Sequence, residues 1–215
     1  MKPEFITFTG ADNWTSIEGM LELSRKYPIE WGILFSPKRQ GVDPRYPDGD
    51  RLSAIMWSNL RLSAHICGDY SDAVMAGHAL EKPPVDFHYF QRVQVNHATP
   101  VPARINRFRT GWGIKRGIGQ CRGNFPLDTS VDWLFDRSGG RGETSAAWPR
   151  HPGLDRLVGY AGGISPDNIL DYAISVFEHI EGRYWIDMES GVRTNDRLDL
   201  EKCRQVCEQV YGGAT

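Results

Sequence analysis

Two short glycine-bearing turns carry the first chemistry in this sequence. Gly162-Gly163 and Ser190-Gly191 each follow a short apolar run, and each opens onto a segment able to be helical. Glycine lets backbone N–H groups approach an anion with no Cβ in the way. A helix N-terminus behind the turn adds partial positive charge. Together the two turns suit a phosphate held between them; singly, each also reads as an ordinary tight turn. A second candidate runs from Arg104 to Arg122, where six basic residues (Arg104, Arg107, Arg109, Lys115, Arg116 and Arg122) stand with no acid among them. Such runs usually form solvated faces, but Arg122 could instead reach an anionic ligand. The cysteines promise less. Cys67, Cys121, Cys203 and Cys207 show no CxxC spacing, and Cys203 and Cys207 share a helix face as small core residues. No metal site, disulfide framework or cofactor is expected.

Positioning these groups requires a particular series of elements. FITFT (Phe5–Thr9) is β-prone and ends at Gly10, and Ile17–Tyr27 has helical apolar spacing with Asp12 or Thr15 as its cap. Strands follow at Glu30–Pro37, Arg61–Gly68 and Gln91–His97, alternating with helices at Arg51–Leu60, Ser71–Leu80 and a short one near Val101–Phe108. A fifth strand lies within Ile114–Cys121, blurred by glycines, and Val131–Asp136 is a clear sixth. The polar, glycine-rich loop RSGGRGETSAAWPRHPG comes next, and loops of that length tend to be functional. Arg156–Gly162 is a seventh strand, Ser165–Ile180 a helix, Arg183–Met188 an eighth strand, and Leu198–Tyr211 a closing helix.

Apolar strands alternating with amphipathic helices imply a parallel sheet. About eight such units in 215 residues imply a closed (β/α)₈ TIM barrel, one domain over residues 1–215, with irregular helices around units five and six. A doubly wound open sheet is the competing architecture. In such a barrel the loops after strands seven and eight often hold a phosphate, and there the two glycine turns fall. Lys+Arg 25 against Asp+Glu 27 leaves −2, which argues against nucleic acid or a membrane surface as partner. No apolar run nears the roughly 18 residues of a membrane span, and MKPEFITFTG lacks a signal-peptide apolar segment. A cytoplasmic, reduced protein is expected, a monomer or homodimer binding a small anionic or phosphorylated substrate.

GGISPDN followed by IDMESGVR resembles the C-terminal third of the phosphoribosylanthranilate isomerase family, whose pattern is a glycine pair, N-P-E-N, then D-V-S-S-G-V-E. Other stretches align in order. TGADN (Thr9–Asn13) stands where the family has C-G-I-T-N, and FSPKRQ (Phe35–Gln40) where it has a Y/S-P-x-S-x-R run. RVQVNH (Arg92–His97) matches V-Q-L-H-G, and LFDRSGGRGE (Leu134–Glu143) resembles L-L-D-x followed by G-G-S-G-K. The resemblance covers nearly the whole chain, thinly between Ala98 and Ser130. It implies a barrel of the ribulose-phosphate-binding type that isomerises an aminoaldose to an aminoketose in tryptophan biosynthesis. A general acid at the end of strand six opens the sugar ring, and a cysteine at the end of strand one removes the proton from the second sugar carbon.

On that resemblance Asp136 takes the general-acid position, where burial at a barrel mouth raises a carboxyl's pKa toward working pH. The cysteine position holds Thr9, a substrate-contacting position whose hydroxyl does not ionise near neutral pH. Asp12 and Cys67 are the replacements for the base. Asp12 reads equally as a helix cap, and Cys67 as a buried inert thiol unless nearby positive charge activates it. Arg39 matches the family's arginine after strand two and could grip a substrate carboxylate with its planar fork. Asp187 matches as well, and Asn96 stands where the family has histidine. Glu189 replaces the first serine of the S-S-G turn. A carboxylate within ~5 Å of a phosphate dianion costs roughly 3 kcal/mol per unit charge at an effective dielectric of 20. Glu189 must therefore turn away, pair with a cation such as Arg193, or belong to a site adapted to another ligand. Two further readings stay open: different chemistry on the same scaffold, and a barrel that binds an anionic metabolite without turnover.

Overall fold

Runs of β-branched and aromatic residues bounded by glycine and proline become the strands. The computed structural model describes residues 2–80, 83–137, 148–153, 155–175 and 180–212, apart from the side chains of 173–175. Eight strands, β1 (Phe5–Thr9), β2 (Ile29–Phe35), β3 (Leu62–Ile66), β4 (Arg92–Val95), β5 (Arg116–Cys121), β6 (Asp132–Asp136), β7 (Leu157–Ala161) and β8 (Arg183–Met188), pair in parallel with their neighbours. β8 closes onto β1 through Phe5↔Trp185 and Thr7↔Asp187, which completes the (β/α)₈ barrel and excludes the open sheet. Helices α1 (Ile17–Lys26), α2 (Gly49–Met56), α3 (Asp69–Ala76), α4 (Pro102–Gly111), α5 (Ile169–Ser175) and α6 (Leu200–Tyr211) lie between or after the strands, and a short hairpin, β9 (Arg193–Thr194) and β10 (Arg197–Leu198), follows β8.

Local chemistry corrects several boundaries. The cap of α1 is Ser16, whose Oγ accepts from the Gly19 N–H at 3.1 Å. Asp12 and Thr15 are engaged with each other instead: the Asp12 N–H donates to Thr15 Oγ1 and that hydroxyl donates to Asp12 Oδ1, both at 2.9 Å. α5 begins at Ile169 rather than Ser165 because Asn168 ties down the preceding turn. Its Nδ2 donates to the Gly163 carbonyl and its Oδ1 accepts from the Ser165 N–H, both at 2.8 Å. Residues 122–131, between β5 and β6, form no helix. The glycine-rich loop after β6 and the end of the helix expected to reach Ile180 fall largely in 138–147 and 176–179, outside the described residues.

Strand residues alternate between two environments, as a barrel demands. Ile6, Phe8, Ile33, Phe35, Ala64, Ile66, Val93 and Val95 face outward into the layer beneath the helices, where Cys203 and Cys207 of α6 are also buried. The other set fills the interior. Phe5, Ile118, Leu134, Ala161 and Trp185 make an apolar plug, with the Phe5 and Trp185 rings stacked at 6.0 Å. At the N-terminal ends of the strands, Glu30 accepts from Thr7 Oγ1 at 3.0 Å, from Arg92 Nη1 at 3.0 Å and from Arg61 Nε at 3.1 Å. Arg92 also stands 4.1 Å over the Trp185 ring. The bottom of the barrel is thus closed by compensated charge and aromatic packing. Burying an indole removes on the order of 200 Å² from water, worth roughly 5 kcal/mol as an upper bound.

Gly159 of β7 is the gap that the plug fills. A Cβ there would collide with the Trp185 indole and lie 2.6 Å from Leu134 Cδ1. We predict that Gly159→Ala destabilises the protein by about 1–3 kcal/mol through overpacking. Urea unfolding should show a lower midpoint at an unchanged slope; an unchanged midpoint would mean that the indole has room to move.

Candidate functional site

The C-terminal ends of the strands open into a cavity of about 60 Å³ whose lining includes Thr9, His65, Gln94, Asn96, Gln120, Asp136, Asp187 and Glu189. The loops after β7 and β8 form one wall of it, with Gly162, Gly163, Ser190 and Gly191 all on its surface. Gly162 and Gly163 have φ of +117° and +64°, values that disfavour any side chain. Gly191 is required for a different reason. A Cβ at this position would run into the Ile164 carbonyl oxygen, so glycine allows the two loops to touch backbone to backbone. The two turns singled out in the sequence are therefore one surface.

The floor of the cavity is a polar chain running across the strands. The Thr9 hydroxyl donates to Asp187 Oδ1 at 3.0 Å. Across from it, His65 Nε2 stands 4.0 Å from Asp187 Oδ2, and neither atom has a hydrogen-bond partner among the described residues. Gln94 Nε2 lies 3.4 Å from His65 Nδ1 and donates to Asn96 Oδ1 at 2.8 Å; Asn96 Nδ2 in turn donates to Cys67 Sγ at 3.3 Å. Because Gln94 Nε2 is a donor, His65 Nδ1 accepts, and the ring proton sits on Nε2 facing Asp187. Burial, with help from the positive charge of Arg92, pushes the His65 pKa down to about 3. The two residues are consequently not an ion pair at neutral pH. Burial raises the Asp187 carboxyl well above its usual range, opposed by the Thr9 hydrogen bond and reinforced by Glu189, Glu30 and Asp136.

The remaining candidates divide between this mouth and other places. Asp136, at the end of β6, is buried and lines the cavity with Asp187. Asp12 does not line it. Its carboxylate accepts from Arg193 Nη2 at 3.1 Å, the Leu198 N–H at 2.8 Å, the Trp14 N–H at 3.0 Å and the Thr15 hydroxyl. That makes it a clamp between the β1 loop and the β9–β10 hairpin, with no lone pair left for substrate. Cys67 lines a neighbouring cavity of about 290 Å³ together with Arg39, Arg45, Tyr46, Asn96 and Glu189. Burial pushes its thiol up to about 11, so it stays protonated at neutral pH. Arg39 is largely exposed, 3.4 Å from the Tyr46 hydroxyl. Arg122 lies exposed on the loop after β5 and lines neither cavity. Its basic neighbours serve the surface and the structure: Arg109 donates to the carbonyls of Ile114 and Lys115, and Arg116 pairs with Asp132 at 2.9 Å.

Glu189 turns toward the shared wall of the two cavities and pairs with Arg45 at 2.9 Å. The sequence pointed to Arg193 for that pairing, but Arg193 is held by Asp12 and by the Gly10 carbonyl at 2.6 Å. Burial still raises the Glu189 carboxyl, with Arg45 opposing. His65, Gln94, Gln120 and Arg45 went unmarked in the sequence. Only the inward parity of the strands, Ser63-His65-Cys67 and Arg92-Gln94-Asn96, could have flagged the first two.

This is a (β/α)₈ barrel whose mouth gathers three carboxyls, a neutral imidazole and a glycine-lined wall. No protein-family model matches the chain, and no curated sequence does. Solved structures do match it. One is a phosphoribosyl anthranilate isomerase in complex with reduced 1-(o-carboxyphenylamino)-1-deoxyribulose 5-phosphate, with a TM-score of 0.62 and 14% identity over 99% of this chain and 100% of that one. A phosphoribosyl anthranilate isomerase from Thermococcus kodakaraensis gives 0.61 and 14%, over 98% and 100%. A mutant tryptophan synthase α-subunit from Pyrococcus furiosus gives 0.56 and 15%, over 99% and 100%. The chain has the fold of these proteins; at such identities the likeness is one of fold. Among the described residues no group of three His, Cys, Asp or Glu could hold a metal ion, and no helix is long and apolar enough to cross a membrane.

The low folded pKa of His65, near 3 against about 6.5 unfolded, means that the unfolded chain binds more protons between those values. Acidification through that window should therefore destabilise the fold by about 1.4 kcal/mol per pH unit from this group alone. The raised Asp187 acts with the opposite sign, its contribution being lost as pH rises through its folded pKa. By NMR, the His65 ring proton resonances should stay flat from about pH 5 to 8. A midpoint above about 6 would mean a solvated imidazole and would remove the neutral donor from the floor.

Proposed function

We propose that this chain is an isomerase-like enzyme acting on a phosphorylated sugar or a related anionic metabolite, with a general base different from a cysteine on β1. The observation that carries the reading is the meeting of a two-turn glycine wall and two carboxyls, Asp136 and Asp187, on one cavity. In this reading the amides of Gly162, Gly163, Ser190 and Gly191 hold the anion. Asp136 delivers a proton to the sugar ring oxygen, opening the ring. A base in the same mouth then removes the proton on the second sugar carbon. The adjoining cavity, with Arg39 and Arg45 on its lining, takes the rest of the molecule. The work needs no cofactor and no nucleic acid. The fold shared with the phosphoribosyl anthranilate isomerases supports this choice of substrate class.

Binding without turnover is the alternative. It is favoured by Cys67 held as a thiol and by the hydroxyl at Thr9, which together leave the family's kind of base out of the mouth.

Steady-state kinetics with N-(5-phosphoribosyl)anthranilate as probe decide between them. Asp136→Asn should lower kcat by about 10²–10⁴-fold with the circular dichroism spectrum unchanged, since the amide keeps the shape and cannot give up the proton. Wild-type turnover in that variant would take Asp136 out of the chemistry.

The anion wall has its own test. Glu189 lines the cavity beside the turns, and Arg45 only partly offsets its charge. Glu189→Gln should tighten inorganic phosphate binding several-fold in calorimetry. Unchanged or weaker binding would mean that the anion sits elsewhere.

A further inference from the structure

Removing a proton from carbon needs a base whose lone pair is free and faces the substrate, and the mouth offers few. Glu189 is held by Arg45, and Asp136 has the acid's task. Asp12 is surrounded by donors away from the cavity, and Cys67 is a thiol in the neighbouring one. Neutral His65, with its pKa near 3, is too weak a base. Asp187 remains. We propose that Asp187 is the proton acceptor of this mouth, with Thr9 and His65 as its positioning residues. This rests on the isomerase reading of the site and goes beyond it by naming the base.

The geometry divides the two oxygens of the carboxylate. Oδ1 is fixed by the Thr9 hydroxyl at 3.0 Å, whereas Oδ2 is buried with no hydrogen-bond partner among the described residues, and Asp187 is one of the residues that line the cavity. Two features hold Thr9 to this task. β1 pairs with β8 beside Asp187, and a Cβ at Gly32 would collide with the Thr9 hydroxyl, so the glycine keeps that rotamer open. Opposite Oδ2, the unpartnered Nε2–H of His65 lies 4.0 Å away. That gap is too long for a direct hydrogen bond and suits a ligand oxygen lying between the two groups. The threonine at the position of the family's cysteine is thus not a vacancy in the mechanism. It moves the basic atom from β1 to β8.

The step balances within the substrate and Asp187. After Asp136 has opened the ring, the sugar's first carbon is doubly bonded to the amine nitrogen, which carries positive charge. Asp187 Oδ2 takes the proton from the second carbon. The C–H electron pair becomes a double bond between the first two carbons, and the C=N pair moves onto nitrogen. The first carbon of the resulting enol then takes a proton from Asp187, which restores its carboxylate; the enol hydroxyl gives its proton to solvent, which yields the ketone, and Asp136 regains a proton from solvent. His65 donates through Nε2–H to the oxygen on the second carbon and stays neutral throughout. Burial strengthens the carboxylate as a base, the negative charges of Glu189, Glu30 and Asp136 add to that, and the imidazole of His65 opposite it is neutral.

The test measures kcat and KM against pH for the wild type, Asp187→Asn, Thr9→Val and Thr9→Ser, with N-(5-phosphoribosyl)anthranilate as substrate. Asp187→Asn should lose about 10²–10⁴-fold in kcat with little change in KM. Thr9→Val should move the acid limb of kcat to higher pH, because its hydroxyl stabilises the ionised carboxylate, and Thr9→Ser should restore the limb. A merely structural Thr9 would lower stability without moving the limb, so this arm decides even if Asp187→Asn fails to fold. If the wild type turns over but Asp187→Asn keeps kcat within about tenfold, or Thr9→Val leaves the limb in place, the base is elsewhere: this inference falls and the isomerase reading stands. If the wild type binds inorganic phosphate and gives no turnover, the isomerase reading falls and the base assignment falls with it.

Discussion

Closure of the barrel is the constraint on which the mouth depends. Thr9 and Asp187 are 178 positions apart, yet they meet at 3.0 Å because β8 returns to lie beside β1. The same closure gives all eight strands one inward parity, so His65, Gln94, Asn96 and Asp136 converge on the same space from β3, β4 and β6. None of these contacts is local. Each exists because hydrogen bonding around the ring leaves no sheet edge and no freedom to slip by a residue, which would turn every inward group outward.

The two ends of the interior handle polarity in opposite ways. At the bottom, Glu30, Arg92 and Asp132 are buried with opposite charges at hand and aromatic rings over the guanidinium. Removing one member of such a cluster leaves a buried charge uncompensated, typically 3–5 kcal/mol. At the top, Oδ2 of Asp187, Nε2 of His65 and Oε1 of Gln94 are left without partners among the described residues. Arg92 Nε and Nη2 and Asp132 Oδ2 at the bottom also lack hydrogen-bond partners among the described residues, but opposite charges stand beside them, whereas the unpartnered atoms at the top have no such charge compensation and sit at the strand ends that carry function in barrels. The plug of Phe5, Leu134 and Trp185 lies between the two ends, yet the lower charges are still felt above it: Arg92 helps to lower His65 and Glu30 helps to raise Asp187.

Much of the scaffold was readable from periodicity. All eight strands fall on the apolar, β-prone runs read from the sequence, and the two glycine turns lie on one cavity. Helix starts were less legible, because Ser16, Thr15 and Asp12 are all competent caps and only the path of the chain decides among them. In the site, Asp136 stood out by type and by strand-end position, whereas Asp187 was marked by the resemblance alone. His65 did not: within L-S-A-H-I a histidine reads as one more core residue, and only the inward parity of β3 aims it at Asp187. Arg45 was invisible for another reason. It sits in a loop, where reach is set by backbone turns that composition does not encode, and Arg193 was the nearer cation in sequence to Glu189. Asp12 looked reactive because its four donors come partly from the far end of the chain.

The contact at Gly191 has a consequence for the thermodynamics of the mouth. With no side chain there, the loop after β8 rests on the Ile164 carbonyl of the loop after β7, and Asn168 staples that second loop to its own turn. Two segments that in many proteins would be ordered by their ligand are here ordered by each other. Their loss of conformational entropy is incurred during folding, so the anion proposed for this wall would not have to order the two loops on binding. On the proposed reading the wall is a preformed cradle rather than a closing one, whose occupation would bring little ordering of the backbone.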